Sequence, residues 1–272
     1  MLLQRVLTAL LLAPLVIVLI ALAPTAWFAA VVTITFLAAL WEWAALSGLK
    51  SPALRGALLA VAALGFAALW MLRASPFGSW VIVIGVAWWL LAGAWLRHFA
   101  FGAAPTRDNV ARKLLAGLFV TLPAWMALVS VHQRSPDGHW WTLLALLIVW
   151  AADIGAYFSG RTFGKRKLAA QISPGKTWAG AYGALVAGTL VMLVGAWLLG
   201  IRGGQLLGLL LLAPLTVAVS IVGDLVESLM KRHAKVKDSG TLFPGHGGLM
   251  DRLDSLFAAL PVFAAGLLWL NI

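Results

Sequence analysis

Four polar side chains of complementary chemistry lie close together near the end of an apolar stretch in the C-terminal part of the chain. Asp224, Ser228 and Lys231 follow one another at intervals of four and three residues, with Glu227 adjoining. A helix with this spacing presents a carboxylate, a hydroxyl and an ammonium group on one face. The same stripe is also typical of an amphipathic helix end that emerges from a bilayer, so the residues after it must decide between the two interpretations.

Those residues form a segment rich in glycine and charge that suits a phosphate ligand. Glycine-rich backbone lets amide N–H groups converge on phosphate oxygens at close range. Asp224 and Asp251 flank the segment and are predicted to share hard cations such as Mg²⁺, which prefer carboxylate and phosphate oxygens. Such a pair, with lysine, arginine, histidine and glycine amides nearby, suits transfer at phosphorus. Asp254 or Ser255 is predicted to cap the last helix. The candidate residues of the segment are Lys231, Arg232, Lys237, Asp238, His246, Gly247, Gly248, Asp251, Arg252 and Asp254.

A second basic loop, Arg161 to Thr177, carries further candidates. It contains Gly164-Lys165-Arg166-Lys167 and then Ser173-Pro174-Gly175-Lys176-Thr177. Basic residues alone are sufficient to flank a membrane helix, and they do not explain the run from Ser173 to Thr177. We therefore predict that Ser173, Lys176 and Thr177 contact phosphate. The loop is not a P-loop, because the G-x-x-x-x-G-K-[ST] spacing is absent.

Two carboxylates lie inside apolar stretches, where a charge costs about 2.5–3.5 kcal/mol on insertion scales and needs a partner or a function. Glu42 lies between Trp41 and Trp43 toward the end of its apolar run, and we interpret it as a solvated or paired structural carboxylate. Asp153 lies well inside a later run among small residues that let another helix approach. We predict that Asp153 contributes to the site.

The composition predicts that the elements which position these residues are membrane-spanning helices. The 272 residues are 62% hydrophobic and 11% charged, with a mean hydropathy of +0.97, which leaves too little polar surface for a water-soluble globule. Since lipid-exposed backbone must bond internally and no period-2 alternation is present, the prediction is an all-α polytopic membrane protein of about nine helices. The first run could be a secretory signal peptide, but its length favours a retained helix. The nine runs are Val6–Ala23, Ala26–Leu46, Gly56–Leu72, Trp80–Leu96, Leu114–Val131, Trp140–Ser159, Trp178–Leu199, Leu206–Val222 and Leu256–Leu270.

The distribution of basic residues predicts the orientation of the helices. With the N-terminus in the cytoplasm, 17 of the 20 lysines and arginines fall on the cytoplasmic side, as the positive-inside rule expects, and the C-terminus lies on the opposite side. The net charge of +11 therefore lies mostly on one face. Nucleic acid is not expected as a partner, because no soluble basic domain is present to hold it. The absence of cysteine excludes disulfides, iron–sulfur clusters and thiol catalysis.

The chain is predicted to form a single transmembrane domain over residues 1–272, with no internal repeat or long linker. Six of its nine acidic residues lie from Asp153 onward. We therefore expect residues 1–139 to be mainly scaffold helices and residues 140–272 to be the catalytic half.

The segment from Ser228 to Asp254 resembles the signature of the phosphatidate cytidylyltransferases, also called CDP-diacylglycerol synthases. The signature S-x-x-K-R-x4-K-D-x-G-x2-[LIF]-P-x-H-G-G-x2-D-R-x-D matches these 27 residues at every fixed position. A second family pattern, D-x-x-A-Y followed by G-x-x-F-G and I-S-P-x-K-T, is similar to residues 153–177. Gly175 and Ala179 depart from it, where the family favours a polar or basic residue and an acid. This departure concerns only the edge of that loop, and the first 150 residues are supported by pattern alone.

The resemblance implies that CTP and phosphatidate react to give CDP-diacylglycerol and pyrophosphate, with Mg²⁺ as cofactor and a second cation left open. Asp224 and Asp251 would hold the metal, and Asp153, Asp238, Asp254, Gly247 and Gly248 would belong to the substrate site. It also implies a homodimer in a bacterial inner membrane. The expected phosphate ligands are Lys176, Lys231, Arg232, Lys237, His246 and Arg252, oriented by Ser173, Thr177 and Ser228.

Two rival functions stay open at this point. Another CTP-dependent lipid enzyme, such as a polyprenol or ether-lipid cytidylyltransferase or a CTP-using lipid kinase, would differ in its lipid or in the group it transfers. CDP-alcohol phosphotransferases are disfavoured, because their D-G-x2-A-R run is missing. An ion-coupled transporter would explain the intramembrane Asp153 and Asp224, but such proteins usually carry repeats that this sequence lacks.

Overall fold

The part of the chain that the structure describes forms nine helices and one short hairpin. The computed structural model describes residues 2–242 and 247–272, with side chains from Leu12 onward; His246 therefore lies outside the described residues. Helices α2 to α9 are each long and apolar enough to cross a membrane, which confirms the all-α polytopic fold. In chain order the elements are α1 (Leu2–Leu22), α2 (Thr25–Leu46), α3 (Pro52–Leu72), α4 (Pro76–Trp95), α5 (Arg107–His132), α6 (Gly138–Phe163), β1 (Lys167–Ala169), β2 (Ser173–Thr177), α7 (Trp178–Leu198), α8 (Gly203–Ala234) and α9 (Met250–Trp269).

Helices α5 and α9 form the centre of the bundle, and most of their residues are buried. Trp125 on α5 and Phe257 and Phe263 on α9 are among the largest side chains that are fully enclosed. The indole N–H of Trp89 on α4 donates to the Phe257 carbonyl over 3.1 Å, because a buried indole nitrogen needs an acceptor. The helix that carries the end of the signature is therefore held in the interior of the fold.

Helix α8 continues beyond the apolar run predicted to end at Val222 and reaches Ala234. The polar stripe that begins at Asp224 is thus part of one uninterrupted helix, as its spacing indicates. Close packing brings this stripe next to α9, because a Cβ at Gly223 would collide with the backbone of Asp254. A side chain at position 223 would push the carboxylates of the two helices apart.

The second basic loop contains an antiparallel hairpin that was not predicted. Strands β1 and β2 pair Lys167 with Thr177 and Ala169 with Ser173. The turn between them is anchored on α8, where Ile172 packs with Leu225 and Leu229. Strands of three and five residues have too little alternation to be recognised in a sequence, and the hairpin depends on this tertiary contact.

The N-terminus of α9 differs from the prediction. The helix begins at Met250, one turn before Asp254 and Ser255, and Leu249 occupies the N-cap position without a side-chain bond to the helix. The expectation that Asp254 or Ser255 caps the helix is therefore wrong. A glutamate from a distant helix accepts the first amides instead, as described below.

Candidate active site

A cavity of about 590 Å³ lies between α6, α7, α8, α9 and strand β2. This volume is typical of a pocket for a small-molecule ligand. Four carboxylates from three helices line it: Asp153 of α6, Asp224 of α8, and Asp251 and Asp254 of α9. So many acids around one space favour a ligand that brings cations or basic groups with it.

The structure brings seven of the predicted site residues to this cavity. Ser228, Lys231 and Arg232 lie on α8, Ser173 begins β2, and Gly247 and Gly248 precede α9. Lys237 and Asp238 are exposed next to the undescribed segment 243–246. The seven that line the cavity are Asp153, Lys176, Thr177, Asp224, Asp251, Arg252 and Asp254.

Asp224 is held by two neighbours that also belong to the predicted site. Lys176 Nζ lies 2.5 Å from Asp224 Oδ2, and the Ser228 hydroxyl donates to Asp224 Oδ1 over 3.2 Å. The Asp224 side chain stays 31% exposed. Thr177 orients this corner, because its hydroxyl accepts from the Gly180 amide and caps α7. Lys176 is thus a cation that can exchange a carboxylate for a phosphate without a change in backbone.

Lys231 bridges two carboxylates on adjacent helices. Its Nζ lies 2.6 Å from Asp251 Oδ1 and also pairs with Glu227 Oε2, one turn earlier on α8. Glu227 is fully buried, so its charge depends on this ammonium group. Glu227 was not predicted as a site residue, although its spacing of four from Lys231 is the signal for such a pair.

The second oxygen of Asp251 organises the backbone before α9. Asp251 Oδ2 accepts from the Ser239 amide at 2.9 Å, from the Ser239 hydroxyl at 2.8 Å and from the Gly248 amide at 2.8 Å. Gly247 has a φ of +83°, and a Cβ there would lie 2.6 Å from Asp251 Oδ2. Glycine is therefore required at this position both by conformation and by space.

Glu42 of α2 does not line the cavity but binds the segment that leads into α9. Its Oε1 accepts from the Leu249 amide at 3.0 Å, and its Oε2 accepts from the Met250 amide at 2.8 Å and the Ser239 hydroxyl at 2.9 Å. A carboxylate at a helix N-terminus satisfies unpaired amides and complements the helix dipole. Glu42 thus caps α9 and ties Ser239 to the same point. The interpretation as a paired carboxylate is confirmed, and its partners are the signature segment itself.

Comparison with known proteins agrees with the geometry. The model of the Cytidylyltransferase family matches residues 3–270. The chain belongs to this family. It is 43% identical over 269 residues to the phosphatidate cytidylyltransferase of Pseudomonas aeruginosa. The matched region covers 99% of this chain and 97% of that relative. It is 35% identical over 285 residues to the enzyme of the same name from Haemophilus influenzae, with 97% and 98% covered.

A further relative matches over about half of the chain. The phosphatidate cytidylyltransferase of Brucella suis is 44% identical over 144 residues, which is 53% of each chain. The two full-length matches, in contrast, extend over 99% and 97% of this chain.

The donor chemistry of the cavity fits the Mg²⁺ that the family resemblance implies. Among the described residues no three His, Cys, Asp or Glu side chains converge on one point as a ready cage. Mg²⁺ does not need one, since it is usually held by one or two carboxylates together with substrate phosphates and water. Asp224 is the more accessible of the predicted pair, whereas Asp251 is 7% exposed and bonded through both oxygens.

Replacing Glu42 by Gln should lower the turnover number about tenfold or more. The side-chain nitrogen of glutamine cannot accept a hydrogen bond, so one of the groups that donate to Glu42 loses its acceptor. Ser239→Ala should cost less, since it leaves both backbone bonds to Glu42 in place. The measurement is kcat at saturating substrate together with hydrogen exchange at Leu249 and Met250. Wild-type turnover and unchanged amide protection in Glu42→Gln would show that the cap has no role in positioning the segment.

Proposed function

We propose that this protein transfers the CMP unit of CTP to phosphatidate and so forms CDP-diacylglycerol and pyrophosphate. The single observation that carries this proposal is the acidic cavity of the cytidylyltransferase fold, in which Lys176 and Arg252 lie beside Asp153, Asp224, Asp251 and Asp254. The two full-length relatives are both named for this reaction. The cavity lies against the basic loops, where a water-soluble nucleotide and a lipid head group can both reach it.

In this reaction a phosphate oxygen of phosphatidate attacks the α-phosphorus of CTP. A new P–O bond forms, the bond between the α-phosphorus and the bridging oxygen to the β-phosphate breaks, and the pyrophosphate takes the bonding electrons. Phosphatidate is already an anion, so no general base has to remove a proton. Positioning and charge neutralisation therefore supply most of the rate.

Lys176 and Arg252 are proposed to bind the phosphates inside the cavity. Lys176 can leave Asp224 for a phosphate oxygen, which frees Asp224. Lys231 has a different position, since it is bound between Glu227 and Asp251 and keeps Asp251 fixed beside Gly248. Arg232 donates through Nε to the Ile172 carbonyl over 3.0 Å, and so holds the hairpin that delivers Lys176.

Mg²⁺ is proposed as the cofactor, held by Asp224 and Asp251, with a second cation left open. When bound, it would neutralise charge on the phosphate oxygens and polarise the reacting phosphorus. Purified protein should form CDP-diacylglycerol from CTP and phosphatidate with Mg²⁺, and an excess of EDTA should reduce the rate about 10³-fold or more. Addition of Mg²⁺ beyond the chelator should restore it. Full activity in EDTA would remove the metal from the proposal.

The orientation, the oligomeric state and the membrane are also proposals. The 17 basic residues of one set of loops favour a cytoplasmic N-terminus and cavity. The family resemblance favours a homodimer in a bacterial inner membrane. Because the chain has no cysteine, single cysteines at Lys50 and Arg202 can be labelled selectively; a membrane-impermeant maleimide should reach position 202 but not position 50 from the outside of intact cells.

A further inference from the structure

Helix α6 presents one stripe of polar residues to the cavity. Asp153, Tyr157 and Arg161 follow one another at intervals of four residues, and all three line the cavity. Eight residues of helix span about 12 Å, so the stripe runs from the carboxylate inside the apolar part of α6 to its last turn. Tyr157 and Arg161 were not among the predicted site residues, although Tyr157 belongs to the second family pattern and Arg161 to the second basic loop.

Arg161 differs from Lys176, another cation of the cavity, in its partner. Its Nη1 donates to the Tyr157 hydroxyl over 3.0 Å, which orients the guanidinium along the cavity wall. In the described part of the chain no carboxylate lies within 4.0 Å of Arg161, whereas Lys176 lies on Asp224. A guanidinium held by a neutral phenol keeps its donors for an incoming anion.

The side chains around Arg161 suit a lipid, because a cationic group lies next to exposed apolar ones. Large apolar side chains are exposed beside this stripe on α6, where Ile154 and Phe158 follow Asp153 and Tyr157. Tyr182 is exposed on the adjacent α7. On a membrane protein such a surface contacts acyl chains. Arg161 lies in the last turn of α6, next to the basic hairpin loop. A long cationic side chain at the end of a membrane helix can reach lipid phosphates.

We propose that Arg161, oriented by Tyr157, binds the phosphomonoester of phosphatidate, while Lys176 and Arg252 bind the CTP phosphates. This inference rests on the proposed function and adds the assignment of one substrate to one wall of the cavity. It places the lipid phosphate on the α6 side, with its acyl chains along the exposed apolar surface of α6 and α7. The nucleotide then occupies the side formed by β2, α8 and α9.

The test is steady-state kinetics of full-length protein in mixed micelles, with each substrate varied in turn. Arg161→Gln should raise the KM for phosphatidate about 10- to 100-fold, because a charge-assisted bond to phosphate is lost. The KM for CTP should change less than about twofold. Arg161→Lys keeps the positive charge but loses the planar guanidinium, so its KM for phosphatidate should lie between those of the wild type and Arg161→Gln. Tyr157→Phe should raise the phosphatidate KM about two- to fivefold.

Arg97→Gln is the matched control, because it removes an exposed arginine from the same predicted face without touching the cavity. It should leave both KM values at the wild-type level. A rise in the KM for CTP alone in Arg161→Gln would assign Arg161 to the nucleotide and overturn the proposal. If neither KM changes, Arg161 is an ordinary basic residue that flanks a membrane helix, and the proposal is overturned as well.

Direct binding separates this inference from the proposed function. Calorimetry with short-chain phosphatidate in detergent should give binding to the wild type and about tenfold weaker binding to Arg161→Gln. A wild type that binds phosphatidate but forms no CDP-diacylglycerol would contradict the proposed function and leave the subsite in place. Equal binding by both proteins, with an active wild type, would contradict the subsite alone.

Discussion

Asp224→Asn is expected to lower kcat for CDP-diacylglycerol formation by about 10³-fold. The asparagine keeps the shape of the side chain but loses the charge that pairs with Lys176 and that is proposed to hold Mg²⁺. Because the Asp224 side chain is 31% exposed in the cavity, the fold should survive the change. The measurement is the initial rate with purified protein at saturating CTP, phosphatidate and Mg²⁺.

Asp108→Asn provides the matched control for this prediction. Asp108 is an exposed acid in the first turn of α5, so the variant loses the same charge outside the cavity and should keep the wild-type rate. Asp224→Asn with more than about a tenth of the wild-type kcat would contradict the role of Asp224, even if the protein proved to be the proposed enzyme.

Lys231→Met is expected to destabilise the fold more than any other single change described above, by about 3–5 kcal/mol. The substitution leaves the fully buried Glu227 and the largely buried Asp251 facing each other without the ammonium group between them. The measurement is thermal unfolding in detergent followed by tryptophan fluorescence, with Lys50→Met as an exposed control for the same change of side chain.

The double variant Lys231→Met with Glu227→Gln distinguishes an unpaired charge from lost packing. Removing the orphaned carboxylate should recover a large part of the lost stability, because the cost arises from burying a charge without its partner. If the double variant is no more stable than Lys231→Met, the charge of Glu227 has no part in the effect and the bridge is weaker than its geometry indicates.

Much of the fold follows from the sequence because lipid leaves few alternatives. Apolar runs of the right length must be helices, and each predicted run overlaps one observed helix. The largest difference is in α8, which continues from the predicted end at Val222 to Ala234. The polar stripe on α8 was also predictable, since helical spacing alone places Asp224, Ser228 and Lys231 on one face. All described residues that line the cavity fall between Ala152 and Ser255.

Contacts between distant parts of the chain were not predictable from spacing. Glu42 caps a helix that begins 208 residues later in the chain, and no local pattern around Trp41 and Trp43 points to it. The hairpin depends in the same way on the packing of Ile172 against α8. Sequence patterns identify elements and their chemistry, whereas the pairing of one carboxylate with one set of amides is decided by the packed bundle.

The transfer of CMP can be tested most directly by following two labels of CTP in parallel reactions with phosphatidate and Mg²⁺. A label on the α-phosphate should appear in the lipid product, and a label on the γ-phosphate should appear in pyrophosphate and leave the lipid unlabelled. The α-label distinguishes nucleotidyl transfer from transport, and the γ-label distinguishes it from a CTP-using lipid kinase. Lipid labelled from the γ-position, or lipid that acquires neither label while CTP stays intact, would contradict the account.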